Sequence, residues 1–263
     1  MESLKSTTEQ RAELILQELL RNGEVAVDVL AKQLKVSEAT IRRDLSELER
    51  QGLLLRSHGG AMPVAPMLYE PFRHLSSFQE QEEKCAAEKR RIGLLAASLI
   101  ADGEIIAIGA GTTTTQIARS IRHRKGITVL TNALNVAMEL SHLADIKVCM
   151  TGGNLSGDWF ALVGDVAQRN VGEMFVDKVF IGVDGVHAEH GLTTNYPDQA
   201  AIHRAMMRQA RQRIIVADHR KIGIVGASVI WPASDFHVLV TDKLTSDKAI
   251  APFTENNVKV LRA

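Results

Sequence analysis

The chain of 263 residues has no excess of charge of either sign, because 31 lysines and arginines are balanced by 31 aspartates and glutamates. This balance argues against a protein that coats nucleic acid through bulk positive charge. The N-terminal part of the chain has no excess of positive charge either, since residues 1–60 contain nine basic and ten acidic side chains. Any DNA affinity must therefore come from a few basic groups placed on one surface.

Cysteines and long apolar runs are scarce. Cys85 and Cys149 are the two cysteines, and their spacing fits neither a disulfide framework nor a metal site, so we expect both to be reduced. The first eleven residues lack the apolar core of a signal peptide. The longest apolar run, Ile92 to Ala101, is too short to span a bilayer. We expect a cytoplasmic protein that does not contact membranes.

The segment that follows Val36 has the pattern of a DNA-recognition helix. Ser37 is suited to cap the first turn, and Ile41, Leu45 and Leu48 recur at four and three residues, which places them on one buried stripe. A helix buried on one side can enter a major groove with the other. The side chains expected to contact DNA are Ser37, Ala39, Thr40, Arg42, Arg43 and Ser46. Taken alone, a solvated surface helix would explain the same pattern.

The neighbouring segments favour DNA binding. Helices are predicted from Thr8 to Arg21 and from Val27 to Leu34, followed by a tight turn into the candidate helix. After it, residues 53–61 predict a short strand and a glycine turn, in which Arg56 and His58 could reach a phosphate or a minor groove. This order predicts a winged helix-turn-helix over residues 1–60.

A second domain is predicted after a linker. Pro63, Pro66 and Pro71 break any helix, so we place the linker at 61–80 and the second domain at 81–263. A helix is predicted from Lys84 to Ala101, and the rest alternates strands with helices, which indicates a mostly parallel α/β sheet. The predicted strands are 104–108, 127–130, 147–150, 178–183, 213–217 and 238–240.

Polar and glycine residues follow the predicted strands, where an α/β sheet usually binds its ligands. Two glycines and several threonines at the start of a helix could hold an anion, although such a turn is also a common structural connection. The expected effector-binding residues are Gly109, Gly111, Thr112, Thr113, Thr114, Asn132, Gly152, Gly153, Asp184 and Lys221.

Several chemistries are not supported by the sequence. The turn after residue 108 lacks the Gly-Lys-Ser/Thr ending of a nucleoside-triphosphate loop, and no Gly-x-Ser-x-Gly elbow is present. His187 and His190 do not have the spacing of a helical histidine pair or of a closed zinc site. We therefore predict no catalytic residue, no metal and no cofactor.

These motifs resemble those of the DeoR/GlpR-type bacterial transcriptional regulators. The resemblance begins with Val36 to Leu45 and with Arg56-Ser57-His58-Gly59-Gly60-Ala61. It continues through Gly111-Thr112-Thr113-Thr114, Thr131-Asn132, Thr151-Gly152-Gly153, Gly182-Val183-Asp184-Gly185-Val186, Gly191-Leu192-Thr193-Thr194 and Ala217-Asp218. Nearly the whole chain is covered, with the motifs in the family's order.

The resemblance implies a repressor, usually of a carbohydrate-catabolism operon, that binds double-stranded operator DNA as a dimer or tetramer and is released by a phosphorylated sugar. It also implies that the second domain is similar in fold to ribose-phosphate isomerase. The chain departs from the family pattern at Asp198-Gln199, at His203 and at His219-Arg220-Lys221, of which Lys221 is retained. The particular sugar is therefore not implied.

An alternative hypothesis is a working sugar-phosphate isomerase tethered to a DNA-binding domain. The related isomerases have several acids where this chain has Ile181-Gly182-Val183-Asp184-Gly185, and their lysine-bearing glycine loop has no match. A proton-shuttling enzyme needs a positioned base, so the missing acids favour a sensor.

Overall fold

The structure, a computed structural model, describes residues 7–63 and 76–263. The chain divides into two compact units, residues 1–66 and 67–263, which are described separately. Across the two described ranges, no helix is both long and apolar enough to cross a membrane.

The first unit is a three-helix domain with a small sheet. Its elements are α1 (Thr7–Asn22), β1 (Val25–Ala26), α2 (Val27–Leu34), α3 (Glu38–Arg50), β2 (Leu55–Ser57) and β3 (Gly60–Met62). The antiparallel sheet has the order β1-β3-β2. The helix-turn-helix and the hairpin that follows it are therefore confirmed, whereas the two-residue strand β1 was not predicted.

Apolar side chains of all three helices form the core of this unit. Ile15, Leu30, Ile41 and Leu45 are almost completely buried. Gly60 allows β3 to approach β1, because a Cβ atom at this position would overlap the carbonyl oxygen of Val25. The sheet thus requires the glycine that the sequence places at the hairpin.

The second unit alternates strands and helices. Its elements are α4 (Ser76–Glu83), α5 (Ala86–Ala97), β4 (Ile105–Ile108), α6 (Thr112–Ser120), β5 (Ile127–Thr131), α7 (Leu134–Leu140), β6 (Ile146–Met150), β7 (Asn154–Ser156), β8 (Ala161–Val163), α8 (Asp165–Gly172), β9 (Val176–Gly182), β10 (Gly185–His187), β11 (Gly191–Thr194), α9 (Pro197–Arg208), β12 (Ala210–Val216), β13 (Ser228–Trp231), β14 (Val238–Thr241), α10 (Asp247–Glu255) and β15 (Lys259–Arg262).

A seven-stranded parallel sheet forms the centre of this unit, with the order β15-β14-β12-β9-β4-β5-β6. The chain starts in β4, moves outward through β5 and β6, and then returns to β9 on the other side of β4. The predicted mostly parallel α/β sheet is confirmed. Two smaller antiparallel sheets, β7-β8 and β10-β11-β13, were not predicted.

The helix predicted from Lys84 to Ala101 is present as α5, over the shorter range Ala86–Ala97. Cys85 has a positive φ of 55°, a left-handed conformation that ends one helix and starts another. Helix α4, which ends at Glu83 just before this residue, was not predicted. The break turns α4 so that Phe78 is buried against Phe160, with the ring centroids 5.2 Å apart.

The domain bounds 1–60, 61–80 and 81–263 remain a prediction. Strand β3 extends across the first bound, and α4 begins before residue 81. Pro66 and Pro71, on which the linker prediction depends, lie outside the described residues.

Candidate DNA-binding surface and ligand cleft

The cap predicted at the start of α3 is confirmed. The Ser37 hydroxyl accepts a hydrogen bond from the Thr40 backbone N–H at 3.2 Å and lies 2.9 Å from the Thr40 hydroxyl. This bond satisfies one of the free amides of the first turn and fixes where the helix begins. Ile41, Leu45 and Leu48 are buried on the inner side, as the spacing predicted.

The outer side of α3 carries two arginines in different environments. Arg42 is paired with Glu38, one turn earlier, at 2.6 Å. Arg43 is exposed, and no ion pair or hydrogen bond of its side chain is found within residues 7–63. Arg43 is therefore available to a base edge or phosphate without breaking an existing contact. Ala39, also exposed, leaves room beside it.

The hairpin and α3 form a continuous surface. Arg56 of β2 donates a hydrogen bond to the Ser46 hydroxyl at 3.0 Å, and the Arg56 backbone N–H donates to Glu49 at 3.0 Å. Ser46 in turn donates to the carbonyl of Arg42 at 2.8 Å. His58 is exposed in the turn between β2 and β3. The structure thus brings the predicted contact residues together on one surface, and their contact with DNA stays a prediction.

A buried ion pair that the sequence did not reveal sets the position of α3. Asp44, on its inner side, accepts hydrogen bonds from Arg11 of α1 at 2.5 and 3.0 Å. Asp44 is 7% exposed, so the carboxylate depends on Arg11 for its charge partner. The hydrogen bond to Asp44 raises the pKa of Arg11, against the effect of burial.

The second unit contains a cleft of about 540 Å³, measured out to its open mouth, which we term the ligand cleft. It lies where the chain leaves β4, β9 and β12. Since β5 and β9 lie on opposite sides of β4, the connections after β4 and β9 diverge and leave a crevice at their carboxyl ends. Its lining residues are Gln81, Lys89, Ala110, Gly111, Thr112, Thr113, Trp159, Gly182, Val183, Asp184, Thr194, Tyr196, Gln199, Val216, Ala217, Asp218 and Lys221.

The first turn of α6 supplies the anion-binding part of the ligand cleft. Gly111, the residue before α6, has a φ of 153°, and no side chain caps the helix. Thr112 and Thr113 line the cleft, so backbone N–H groups of the first turn are available to a negative group. The Thr114 and Thr115 hydroxyls instead donate to the Gly111 carbonyl, at 2.9 and 2.7 Å.

Lys89 of α5 adds a buried positive charge that the sequence did not reveal. It is 3% exposed, lines the ligand cleft and donates a hydrogen bond from Nζ to the Gln81 carbonyl. Burial lowers the pKa of Lys89 to about 8, with Asp218 acting in the opposite direction. Gly93, one turn further, allows α5 to pack on α6, because a Cβ there would overlap Gln116.

A second lysine faces the ligand cleft next to an acid. Lys221 lies 3.2 Å from Asp184, which also accepts hydrogen bonds from the Thr194 hydroxyl at 2.8 Å and from the Asn195 backbone N–H at 3.1 Å. Burial would raise the pKa of Asp184, but the Asn195 bond, the charge of Lys221 and the Thr194 bond together lower it. Asp184 is therefore an ionised acceptor that positions Lys221.

Two aromatic side chains form part of the wall. Trp159 and Tyr196 meet edge to face, with ring centroids 5.3 Å apart. The Trp159 Nε1–H is buried and has no hydrogen-bond partner within the described ranges. The wall therefore combines apolar ring surface with an unsatisfied donor.

Within residues 7–63 and 76–263, one group of side chains has the ligand types and spacing of a metal site. Ligand atoms of Cys85, Asp218 and His219 lie within 4.8 Å of one another. However, Arg220 already holds both oxygens of Asp218, at 2.8 and 3.2 Å, and burial followed by the charge of Asp218 raises the pKa of the Cys85 thiol. A guanidinium on the carboxylate and a protonated thiol both disfavour a divalent cation.

Five of the ten predicted effector-binding residues line the ligand cleft, namely Gly111, Thr112, Thr113, Asp184 and Lys221. The other five, Gly109, Thr114, Asn132, Gly152 and Gly153, are not among its lining residues.

Asn132 shows why a predicted effector-binding residue can lie outside the ligand cleft. Its Oδ1 accepts a hydrogen bond from the Ala110 N–H at 3.0 Å, and its Nδ2 donates to the Leu162 carbonyl at 3.2 Å. The side chain therefore stabilises the turn that follows β4. Gly153 approaches the Val163 carbonyl, where a Cβ would lie 2.5 Å from the oxygen. Both positions meet a structural need at the strand ends.

The residues at which the chain departs from the family pattern differ in their distance from the ligand cleft. Gln199 lines the ligand cleft, whereas Asp198 is exposed. His203 is fully buried next to Gly109, and burial lowers its pKa to about 4, which keeps the ring neutral. His219 is hydrogen-bonded to Asp242 at 3.1 Å. Of these positions, Gln199 contacts the space available to a ligand.

Comparison with known proteins covers both units. Residues 11–65 match the family model described as the DeoR-like helix-turn-helix domain, and residues 84–243 match the model described as the DeoR C terminal sensor domain.

Similar proteins match over most of the chain. The HTH-type transcriptional repressor GlcR of Bacillus subtilis (strain 168) is 32% identical over 96% of this chain and 95% of its own length. The putative aga operon transcriptional repressor of Escherichia coli O157:H7 is 32% identical over 90% of this chain and 87% of its own length. Among solved structures, ribose 5-phosphate isomerase A from Methanocaldococcus jannaschii is 17% identical, over 51% of this chain and 52% of that chain, with a TM-score of 0.39.

Proposed function

Because the chain belongs to the DeoR family of transcriptional regulators, we propose that it represses a carbohydrate-catabolism operon and is released from its operator by a phosphorylated sugar. The chain is a DNA-binding repressor with a sensor domain. It is a regulator rather than an enzyme, since its relatives are named as repressors, and the hypothesis of a tethered isomerase is not supported.

The observation that carries the proposal is the convergence of positive groups in the ligand cleft. Lys89, Lys221 and the uncapped first turn of α6 all border the same space. Backbone N–H groups at a helix start and nearby ammonium groups together favour a phosphate. Lys89 supports this choice further, because a buried lysine with a lowered pKa gains a missing counter-charge when an anion binds.

The remainder of the ligand cleft suits the sugar part of the ligand. Gln199 and the acceptor Asp184 can hydrogen-bond hydroxyl groups, while Trp159 and Tyr196 offer ring surface to the C–H face of a sugar. A concave site lined by a few polar groups and aromatic rings is typical of small-molecule binding.

The DNA-binding part of the proposal uses the outer side of α3 and the hairpin. Arg43 and Arg42 would contact bases and phosphates in the major groove, and Arg56 and His58 would hold the backbone beside it. We propose that the chain acts as a homodimer or homotetramer, so that its operator is two-fold symmetric or repeated.

A thermal-shift screen with the full chain tests the sensor part. Phosphorylated sugars are compared with the same sugars lacking phosphate; a ligand at 100 times its dissociation constant stabilises the protein by about 2.7 kcal/mol. We expect stabilisation by one phosphorylated sugar, its loss in Lys221→Ala and its retention in Lys243→Ala, an exposed lysine outside the ligand cleft. Equal stabilisation by the unphosphorylated sugar would refute the phosphate assignment.

A DNA-binding assay tests the release. A preferred site is selected from random duplexes, and its complex with the chain is titrated with the sugar identified in the screen. We expect dissociation at concentrations that saturate the sensor. A complex that stays intact at saturation would contradict relief of repression by this ligand.

A further inference from the structure

Helix α4 forms part of the ligand cleft and is also the first described helix after residues 64–75, the segment that joins the two units. Its contacts with the rest of the second unit include three side-chain interactions, and Phe78 also lies edge to face with Trp159. Phe78 is 2% exposed and packs against Phe160, Glu82 pairs with Arg119 at 2.8 Å, and the Gln81 carbonyl accepts a hydrogen bond from Lys89 Nζ. The contacts of Phe78 with Phe160 and of Glu82 with Arg119 lie outside the ligand cleft, whereas Gln81 and Lys89 both line it.

The contact at the wall is a cap on the C-terminal end of α4. The last four carbonyls of a helix have no amide partner within the helix, and Gln81 belongs to the last turn. This end also carries the partial negative charge of the helix dipole, which a lysine ammonium neutralises. Lys89 supplies that ammonium although it belongs to the next helix, α5.

Lys89 therefore has two possible partners, the end of α4 and an anion in the ligand cleft. We propose that a bound anion withdraws Lys89 from the Gln81 carbonyl and loosens α4. A phosphate is a stronger acceptor than a backbone carbonyl because it carries full charge. It also places negative charge close to the negative end of the α4 dipole, and this repulsion disfavours a lysine shared between both partners.

The other two contacts limit the change to a partial release. Arg119 of α6 holds Glu82 and also Glu139 of α7 at 2.9 Å, and none of these three side chains lines the ligand cleft. Because neither Arg119 nor Phe78 lines the ligand cleft, α4 stays attached while its last turn becomes less stable.

This inference rests on the proposed function, since it assigns the regulation of the same cleft. The chain enters α4 directly from residues 64–75, so a change in the stability of α4 acts on the segment that leads back to the DNA-binding unit. The ligand thus binds more tightly to the state in which α4 is loosened than to the state in which it is capped. Regulation by a ligand requires such a difference in affinity between two states.

Hydrogen–deuterium exchange of the full chain tests the inference, with inorganic phosphate as the probe and chloride at equal ionic strength as the reference. Phosphate binding is measured in parallel by calorimetry. We expect exchange at amides 79–83 to become about two- to fivefold faster at saturating phosphate, the range set by a helix-end charge. Slower or unchanged exchange at saturation overturns the inference but leaves the anion site intact. Absence of phosphate binding overturns both.

Reciprocity provides an independent test. If anion binding favours the loosened state of α4, then a substitution that favours this state must strengthen anion binding. Glu82→Gln, which weakens the pair with Arg119, is expected to bind phosphate about two- to fivefold more tightly. Glu88→Gln breaks the pair of Glu88 with Arg91 within α5 and serves as the matched control, with unchanged affinity expected. Unchanged or weaker phosphate binding by Glu82→Gln overturns the inference.

Discussion

Ligand affinity should fall with rising pH, because the ligand cleft depends on a lysine that loses its proton near pH 8. Burial lowers the pKa of Lys89, Asp218 raises it, and Arg220 and Lys221 lower it further, to about 8 in the empty cleft. A bound phosphate monoester favours the charged ammonium and raises this pKa again. The ligand itself keeps a constant charge above pH 7, since the second pKa of a phosphate monoester is about 6.

The magnitude follows from proton linkage. Binding requires protonated Lys89, which is almost fully populated at pH 7 and makes up about one-tenth of the empty protein at pH 9. The dissociation constant should thus be about tenfold larger at pH 9 than at pH 7, close to 1.4 kcal/mol. Affinity is close to its maximum at pH 7 and is lost as the pH rises through about 8.

Calorimetry in buffers of different ionisation enthalpy measures both the affinity and the protons taken up. We expect uptake approaching one proton at pH 9 and almost none at pH 7. Lys89→Arg provides the control, because a guanidinium stays charged over this range and the pH dependence should disappear. A dissociation constant that is equal at pH 7 and pH 9, or a Lys89→Arg variant with the same pH slope, would refute the role of Lys89.

Three further substitutions test other parts of the molecule. Arg43→Ala should remove about 1–3 kcal/mol of discrimination between operator and mismatched DNA without unfolding the protein, as measured by gel shift. Gly93→Ala should lower the unfolding free energy of the second unit by about 1–3 kcal/mol in thermal melts, because the new Cβ overlaps Gln116 and lies 2.8 Å from its carbonyl carbon. Asp44→Ala should destabilise the first unit by about 1.5–3 kcal/mol in urea titrations, because Arg11 loses its charged partner.

Each substitution has a matched control. Arg50→Ala removes an arginine paired with Glu47 at the end of α3 and should leave sequence selectivity unchanged. Gly172→Ala adds a Cβ in open space and should not destabilise the protein. Glu38→Ala breaks an exposed pair and should cost below about 1 kcal/mol. The first prediction is contradicted if Arg43→Ala retains its sequence selectivity. The other two are contradicted if Gly93→Ala destabilises no more than Gly172→Ala, or Asp44→Ala no more than Glu38→Ala.

The sequence predicted those parts of the fold that depend on local pattern. Ser37 as a cap and the stripe of Ile41, Leu45 and Leu48 follow from helix periodicity and the hydrogen-bonding capacity of one turn, and both are confirmed. The parallel sheet follows in the same way, from apolar strands that alternate with helices. The left-handed residue Cys85 carries no such signal, because glycine or asparagine is the usual residue in that conformation.

The site was harder to predict because it depends on contacts between distant segments. Lys89 occurs in a charged run typical of a solvated helix surface, and only the packing of α5 against α6 shows that it is buried. The pair of Arg11 and Asp44 joins residues 33 positions apart and leaves no periodic pattern. Conversely, Asn132 looked like a ligand contact because it follows a strand, but a polar side chain at a strand end can equally support the backbone.

The position of β4 in the middle of the sheet has a consequence for synthesis of the chain. Ile106 of β4 pairs with Lys178 of β9, 72 residues later, whereas β5 and β6 follow β4 directly. At translation rates of about 5–20 residues per second, β4 stays an open edge for roughly 4–14 s after it is made. During this interval the nascent chain presents unpaired backbone groups next to apolar side chains, a surface that chaperones recognise and that aggregates when unprotected.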